Sequence, residues 1–275
     1  MVFAQASPLR QTNNGVKTIT FFVSPIKSQI RDITVTVIMK KANYGIDAPG
    51  VIRNLFLASA VGFIVPIIFP LIRIGPVNID TSGFIWMGIA CGAMGVWMLL
   101  YSKYGKLLHR NRILNLIEWK GSERVLDVGT GRGLLMIGAA MKLTIGMATG
   151  IDIWNAEDLT QNKMENTLSN AQLEGVADRV EVKNENVIEM KFPDNSFDVV
   201  ISNLCLHNIY NIADRKKACA EIARVLVTGG TAIISDYKHM KEYRKNFDQL
   251  GLQTKLQPPS YLTTFPPLGI LVVKK

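Results

Sequence analysis

Two acidic residues follow neighbouring apolar runs, and a glycine-rich turn comes directly after the first of them. Residues 124–135 read RVLDVGTGRGLL, which places Asp127 before three glycines at alternate positions, Gly129, Gly131 and Gly133. Glycine has no Cβ and accepts positive φ, so a ligand can lie against the backbone of such a turn. The helix that is predicted to begin there offers unpaired N–H groups and the positive end of its dipole. This stretch therefore indicates a binding site between a strand and a helix.

The chemistry of the ligand follows from the two acids. The G-x-G-x-G spacing differs from the G-x-G-x-x-G of dinucleotide binders, and the acid at Asp127 would repel a pyrophosphate but suit an ammonium group. Asp152 ends a second apolar run and is placed to accept hydrogen bonds from both ribose hydroxyls, as the acid of the Rossmann fingerprint does. A cationic amino-acid end and a ribose end together describe S-adenosylmethionine.

Three further segments accompany the glycine turn in order. They read FPDNSFDVV at 192–200, SNLCLHN at 202–208, and ARVL at 223–226 followed by a glycine pair and a strand. With these segments the chain resembles the class I S-adenosylmethionine-dependent methyltransferases from about residue 113 to its end. The resemblance implies an α/β fold with a doubly wound, mostly parallel seven-stranded sheet, and it implies methyl transfer as the activity.

The resemblance also implies which residues bind the cofactor. Asp127 and the glycine turn are expected to hold the amino-acid end, Asp152 the ribose, and Ile153 or Trp154 the adenine face. Each acid also has an alternative role that involves no ligand. Asp127 could serve merely to cap the turn, and Asp152 could pair with a lysine. The expected cofactor-binding residues are Asp127, Gly129, Thr130, Gly131, Gly133, Asp152, Ile153, Asn186, Val187 and Asn203.

One position departs from the pattern of the family. An acid often ends the third strand and accepts a hydrogen bond from the adenine amino group, but Asn186 stands at the matching position here. Its amide oxygen can still accept, and the Val187 N–H could meet a ring nitrogen.

Methyl transfer from a sulfonium depends mainly on alignment and desolvation, and a base is needed only when the acceptor must lose a proton. His207 is the best-placed candidate for that catalytic base, although a histidine at this turn could instead bind backbone or line the pocket. Asp236, Tyr237 and His239 are weaker candidates. The three cysteines of the chain lack metal-ligand spacing, so no metal is expected and the thiols are expected to be reduced.

The elements that must position these residues alternate regularly between strand and helix, which predicts a parallel sheet covered by helices. Met164, Leu168 and Ala171 are spaced to form the buried face of a helix over 157–173. Further predicted helices cover 134–143, 214–227 and 238–250. The predicted strands begin at Val125 and Val180 and cover 147–153, 197–202, 231–236, 252–256 and 270–273.

The N-terminal part of the chain has a different composition. All of the net charge of +9 lies in residues 1–120, which hold 13 Lys or Arg against 4 Asp or Glu. A basic flank around apolar segments favours an anionic membrane surface over nucleic acid as the partner.

Two apolar segments, 55–72 and 84–101, contain no charged residue. Each would form a helix about 27 Å long, just enough to cross the hydrocarbon core. Pro66 and Pro70 are expected to kink the first helix, and the small residues beginning with Gly88 should let the second pack closely on it. The alternative is a pair of buried helices in a soluble domain, or a re-entrant anchor.

The flanks of these segments give the expected orientation and domains. Lys and Arg flank the outer ends, whereas the loop between carries only Arg73 and Asp80, so both ends should face the cytoplasmic or equivalent side. Trp86, Trp97 and Tyr101 suit interfacial positions, and packing in the core would explain them nearly as well. The expected domains are a basic arm or targeting segment (1–45) with a short strand at 33–38, a transmembrane hairpin (46–102), an amphipathic linker at headgroup level or a plain linker helix (103–120), and the methyltransferase domain (121–275).

The sequence thus predicts an integral membrane methyltransferase that acts on a small lipophilic acceptor such as an isoprenoid, sterol, quinone or lipid. A protein or peptide substrate is the alternative within the same chemistry. A membrane protein that binds S-adenosylmethionine without catalysis, as a sensor or scaffold, is the alternative outside it.

Overall fold

The computed structural model describes residues 41–155 and 159–275 and, within residues 1–40, the backbone of four strands. The chain divides into two compact units, residues 1–42 and 43–275. In the first unit, β3 pairs antiparallel with β1, β2 and β4. The strand predicted at 33–38 is confirmed, whereas its partners were not predicted. These strands are β1 (Gln5–Ala6), β2 (Arg10–Gln11), β3 (Val16–Phe22) and β4 (Ile33–Ile38).

The second unit begins with a helical hairpin. Its helices are α1 (Pro49–Ile68) and α2 (Phe84–Leu100), and the two-stranded ribbon of β5 (Leu71–Ile74) and β6 (Val77–Asp80) joins them. The first helix starts and ends earlier than predicted, so Pro66 lies within it and Pro70 beyond its end. The ribbon between the helices was not predicted.

The two hairpin helices meet at small residues, as the sequence predicts. A Cβ added to Gly62 would lie 2.6 Å from the Cα of Gly88, and the Ser59 hydroxyl donates a 2.7 Å hydrogen bond to the Gly88 carbonyl. The large apolar side chains of both helices point mostly outward and are exposed. The hairpin therefore uses its small residues for its own packing and leaves its apolar surface uncovered.

The second hairpin helix continues into the domain without a break. A π-helical turn, Tyr101–Gly105, leads into α3 (Lys106–Leu114). This linker was expected to keep its basic face at headgroup level, but Lys106 and His109 are only 4% and 2% exposed. The expectation fails at those positions because Lys106 donates to backbone carbonyls and the His109 ring bonds to the Ser235 hydroxyl, 2.7 Å away. Tyr101 is likewise buried rather than interfacial.

The rest of the unit is a seven-stranded sheet with the order β12-β13-β11-β10-β7-β8-β9, parallel except at β13, which is antiparallel to both neighbours. This is the predicted doubly wound, Rossmann-like methyltransferase fold. The strands are β7 (Arg124–Val128), β8 (Met147–Asp152), β9 (Val180–Asn184), β10 (Phe197–Asn203), β11 (Leu226–Asp236), β12 (Gln253–Ser260) and β13 (Leu268–Lys274). The helices that connect them are α4 (Leu134–Ala140), α5 (Met164–Leu173), α6 (Ile212–Val225) and α7 (Met240–Gln249).

The order reverses between β7 and β10, because the chain leaves β7 toward β8 and β9 and then returns to β10 on the other side. In open α/β sheets the carboxyl ends of the strands form a crevice at such a switch point, and ligands bind there. The fully buried side chains of Leu126, Val200 and Ile234 hold the central strands in the core below it.

One helix differs from its prediction in length and in face. It was predicted over 157–173, but α5 begins at Met164, and residues 156–158 lie outside the described part of the chain. Leu168, predicted to be inward, is exposed, whereas Thr167 and Asn170 are buried. Their side chains donate to the Gly131 and Arg132 carbonyls over 2.6 and 2.9 Å. The inner face is polar because it satisfies the backbone of the glycine turn.

Candidate active site

The glycine turn between β7 and α4 is held against the neighbouring strand. The backbone N–H groups of Gly129 and Thr130 donate to the Ile151 carbonyl over 2.9 and 3.0 Å. Gly129 has φ +72°, and a Cβ on it would collide with the Cys205 side chain. Only glycine therefore fits this position, which keeps the backbone close to the crevice.

Asp127 lies directly beneath this turn and is 2% exposed. Its Oδ2 accepts from the Thr130 hydroxyl and from the Met136 N–H, both over 2.9 Å. Asp127 thus caps the turn, which was one of the two roles considered from the sequence. It also lines the cavity. Burial raises the pKa of this carboxyl to about 7, against the opposing effect of its two donors. Because both bonds fall on one oxygen, the second oxygen remains for a cationic ligand.

Asp152 ends the neighbouring strand and ties it to the same turn. Its Oδ2 accepts from the Gly131 N–H over 2.8 Å, and its Oδ1 accepts from the Trp154 N–H over 2.7 Å and from the Asn162 amide over 3.3 Å. No lysine pairs with Asp152 among the described residues. Each carboxylate oxygen has two lone pairs, so Oδ2 can accept a further hydrogen bond, as from a ribose hydroxyl.

A cavity of about 730 Å³ opens above these residues, within the size range of small-molecule sites. It brings together almost all of the expected residues, namely Asp127, Gly129, Thr130, Gly131, Asp152, Ile153, Asn186, Val187, Asn203 and His207. Two expected residues lie elsewhere. Gly133 closes the turn by donating to the Thr130 carbonyl over 2.8 Å, and Trp154 is not part of the cavity wall.

The far end of the cavity is formed by the loop after β9. The Asn186 Oδ1 accepts from the Ile188 N–H over 3.2 Å, so the side chain shapes this loop while one lone pair remains for a ligand. Val187 forms an apolar wall beside it. Glu185 also lines the cavity. This acid was not predicted from the sequence, because the adenine-binding position was placed one residue later, at Asn186.

The candidate base is placed beside a buried acid. The Nδ1 of His207 lies 2.9 Å from the Asp236 Oδ1, although the ring N–H does not point along that line. The backbone N–H of His207 donates to the Asp236 Oδ2 over 3.1 Å, and the Tyr237 ring packs edge-on, with centroids 4.7 Å apart. Tyr237 lines the cavity, whereas His239 lies outside it at the start of α7. The structure thus unites His207, Asp236 and Tyr237 and separates His239 from them.

Several cavity residues come from outside the methyltransferase motifs. Val51 and Met98 belong to the hairpin helices, and Asp47 belongs to the segment 43–48 that precedes α1. No sequence signal pointed to this segment, because its bonds are to distant residues: the Ile46 N–H donates to the Thr160 hydroxyl over 2.8 Å. Arg132 was also missed, although its position inside the glycine turn was visible in the sequence.

The sheet order, the glycine turn and the paired acids define this part of the chain as a nucleoside-binding domain of the Rossmann-like class. Residues 126–234 match the family profile described as "Methyltransferase domain". The match covers less than half of the chain and identifies this segment as a methyltransferase domain, whose cofactor is S-adenosylmethionine.

Known proteins are similar to the same region. A 27-O-demethylrifamycin SV methyltransferase of Amycolatopsis mediterranei (strain S699) is 30% identical over 127 residues, covering 46% of this chain and 43% of that protein. The U6 snRNA (guanine-N(2))-methyltransferase THUMPD2 of Bos taurus is 26% identical over 132 residues, covering 46% and 25%. The match spans less than half the length of either relative. Geranyl diphosphate methyltransferase in complex with S-adenosylmethionine superposes with a TM-score of 0.50 at 14% identity, covering 61% of this chain and 84% of that one, and supports the fold alone.

The residues of the cavity fit this cofactor. For the ammonium of the cofactor the cavity offers the free oxygen of Asp127, and for its ribose it offers the Asp152 carboxylate. The Asn203 side chain also lies at the wall, where it interacts with the buried side chains of Tyr101 and His109. The cavity can therefore satisfy both ends of the cofactor and still continue toward the hairpin.

Proposed function

We propose that this protein is a membrane-anchored enzyme that transfers a methyl group from S-adenosylmethionine to a small lipophilic acceptor. One observation carries the proposal: the same cavity is lined by residues expected to bind the cofactor, such as Gly129 and Asp152, and by residues of two apolar helices. These are Val51, near the start of α1, and Met98, near the end of α2. An acceptor that moves along those helices would arrive beside the cofactor without crossing water.

The helical hairpin supports the membrane part of the proposal. Within the described residues, two helices are long and apolar enough to cross a membrane, α1 with 20 residues and the continuous helix 84–114 with 31. Only 17% and 22% of their most apolar windows are buried, whereas the core helix of a soluble protein would be mostly buried. Twenty helical residues span about 30 Å, the thickness of a hydrocarbon core.

The connectivity of the chain supports the orientation. The domain follows the end of α2, and the segment 43–48 before α1 packs on the same domain, so both outer ends of the hairpin lie on one side. Exposed basic residues such as Arg53 and Lys103 flank that side, which favours the cytoplasmic or equivalent side of a membrane. We place the domain there, although Lys106 is buried and does not contribute to that surface charge.

The chemistry follows from the site residues. When bound, S-adenosylmethionine supplies an electrophilic methyl group. Asp152 and Asp127 bind the two ends of the cofactor and so fix the direction of attack, and the apolar wall excludes water. His207 takes a proton at its ring when the acceptor must lose one, while Asp236 beside Nδ1 stabilises the resulting positive charge. The side chain of His207 is largely buried, which keeps that proton from bulk water.

Methyl-labelled S-adenosylmethionine added to membranes that contain the protein tests this function. Label in the organic extract is the expected result, and membranes with an Asp152→Ala variant are the control for label that other enzymes transfer. Label in the protein or RNA fraction alone would show that the protein transfers methyl groups but that its acceptor is not a lipophilic small molecule. Binding of S-adenosylhomocysteine without label in any fraction would instead indicate a non-catalytic binding protein.

A further inference from the structure

Arg132 stands inside the glycine turn as a buried cation, and no acid among residues 41–155 and 159–275 forms an ion pair with it. It lines the cavity and is 6% exposed. One contact, from a terminal guanidinium nitrogen to the Thr160 carbonyl, measures 3.3 Å, and the buried Nε has no partner among the described residues. Burying an unpaired charge is costly, so such a group indicates a missing anionic partner.

A second buried cation lies close to Arg132. Lys106 lines the same cavity, and both side chains meet at Gly45: the Lys106 Nζ donates to the Gly45 carbonyl over 2.6 Å, and a Cβ added to Gly45 would lie 3.1 Å from the Arg132 Cδ. The acid that pairs with Lys106 is Asp47, whose Oδ2 lies 3.3 Å from its Nζ. Among the described residues of this wall, the two cations therefore face the cavity with one ion-paired acid, Asp47, between them.

The start of α1 adds to this positive potential. Ala48, Gly50 and Val51 line the cavity, and the first turn of the helix contains no acid and no side-chain cap. Pro49 has no N–H and the Val51 N–H donates to the Ala48 carbonyl over 3.0 Å, so it is the dipole of this 20-residue helix that favours an anion at the same wall.

We propose that Arg132, supported by Lys106 and the start of α1, binds the carboxylate of the methionine part of S-adenosylmethionine. This inference rests on the proposed function, since it assigns one end of the same cofactor. The amino-acid end is a zwitterion, and Asp127 provides an acid for its ammonium while Arg132 provides the matching cation. A guanidinium holds a carboxylate through two parallel N–H···O bonds, which a single ammonium cannot do.

Calorimetry on the full-length protein in detergent tests the assignment with two ligands. S-Adenosylmethionine and its decarboxylated form differ only by the carboxylate, so their affinity ratio reports the contact directly. For the wild-type protein we expect a ratio of roughly tenfold to a hundredfold in favour of the carboxylate. Arg132→Gln should bring the ratio close to one, and Arg132→Lys should restore part of it. The control is Arg179→Gln, because Arg179 also donates to a backbone carbonyl but lies outside the cavity.

Thermal unfolding without ligand separates binding from structure. Because Arg132→Gln removes an unpaired buried charge, its melting temperature should equal or exceed that of the wild type. A lower melting temperature together with equal losses for both ligands would overturn the inference and make Arg132 structural. Equal wild-type affinities for the two ligands would overturn it while leaving the proposed function intact. Wild-type binding of neither ligand would overturn the proposed function, and the inference with it.

Discussion

At the scale of single residues, Asp127 joins folding and binding in one carboxyl group. It fixes the turn through the Thr130 hydroxyl and the start of α4 through the Met136 N–H, yet burial holds its pKa near 7. An ammonium ligand favours the ionised form and would lower that pKa again. We therefore expect binding of the cofactor and deprotonation of Asp127 to be coupled.

The first prediction is a pH dependence of cofactor affinity. Below about pH 7 Asp127 is largely protonated, so binding an ammonium must first release a proton, and affinity should rise by up to about tenfold per pH unit as the pH approaches 7. Calorimetry with S-adenosylhomocysteine between pH 5.5 and 7 measures this slope. Asp127→Asn keeps the acceptor oxygen for Thr130 and Met136, and it should bind weakly with little slope.

The same group predicts the pH dependence of stability without ligand. The folded pKa of about 7 lies above the ordinary value of 3.8, so the unfolded chain loses its proton first as the pH rises. Asp127 should therefore cost stability progressively between about pH 4 and pH 7 and by a constant amount above that. Melting curves of the wild type and Asp127→Asn should diverge over this interval. Parallel curves, or an unchanged affinity slope in the variant, would refute the coupling.

A second prediction concerns His207 as the base. His207→Gln should lower methyl transfer by about 100-fold when the acceptor group carries a proton, since general bases contribute at least that much. Affinity for S-adenosylhomocysteine should stay nearly unchanged, because the proposed role is proton transfer and not binding. Initial rates with labelled cofactor measure the effect. His239→Gln is the matched control outside the cavity, and equal rates for both variants would exclude His207 as the base.

The sequence predicted those site residues whose positions depend on segments close to them in the chain. Asp127 and Asp152 were predictable because each stands at the end of an apolar strand run, and the glycine turn follows Asp127 directly. Asp47 and Tyr101 were not, because their place in the cavity depends on contacts such as the Asp47 N–H with the Ser102 hydroxyl, 55 residues away. Periodicity also failed for Leu168, since the partner of that helix face is backbone and not an apolar core.

At the scale of elements, the close approach of α1 and α2 gives the hairpin its geometry. The third prediction is that Gly62→Ala destabilises the protein in detergent, although alanine is the better helix former by about 1 kcal/mol. The added Cβ would lie 2.6 Å from the backbone of Gly88, so the helices must separate, and overpacking of this kind costs about 1–3 kcal/mol. Thermal unfolding of the detergent-solubilised protein measures the difference.

Gly50→Ala is the control on the same helix, since a Cβ there meets nothing within 4 Å. This variant should be as stable as the wild type or slightly more so. If Gly62→Ala behaved like the control, the two helices would not be in contact at this point. The small-residue contact was predictable from the spacing in α2, but its partner was not, because the sequence does not fix the register of two helices.

At the scale of the whole molecule, the alternation of strands and helices determined the sheet, and the apolar segments determined the hairpin. The join between them could not be predicted. The linker has the pattern of an amphipathic surface helix, yet its Lys106 binds the segment before α1 and its His109 binds β11. Buried polar contacts of this kind leave no periodic signal in a sequence, so the continuity of cofactor site and helical hairpin emerges only from the structure.

The last prediction tests membrane insertion through the exposed face of α1. Leu57 and Val61 lie near the middle of this helix and are exposed, so replacing both by arginine disturbs no internal packing. An arginine at the bilayer centre costs about 2.5–3.5 kcal/mol on insertion scales, and two of them should prevent stable insertion. We expect the wild type to remain with membranes after alkaline carbonate and the Leu57→Arg, Val61→Arg variant to be released.

The variant should also separate the two parts of the proposed function. It should keep its affinity for S-adenosylhomocysteine, because the changed residues lie outside the cavity, but it should no longer methylate an acceptor embedded in vesicles. Tyr210→Arg is the control, since Tyr210 is a large exposed side chain on the domain and its change should alter neither property. Release of the wild type by carbonate, or full activity of the double variant on vesicles, would show that the apolar hairpin does not deliver the acceptor. The cofactor site would then have to receive it from water.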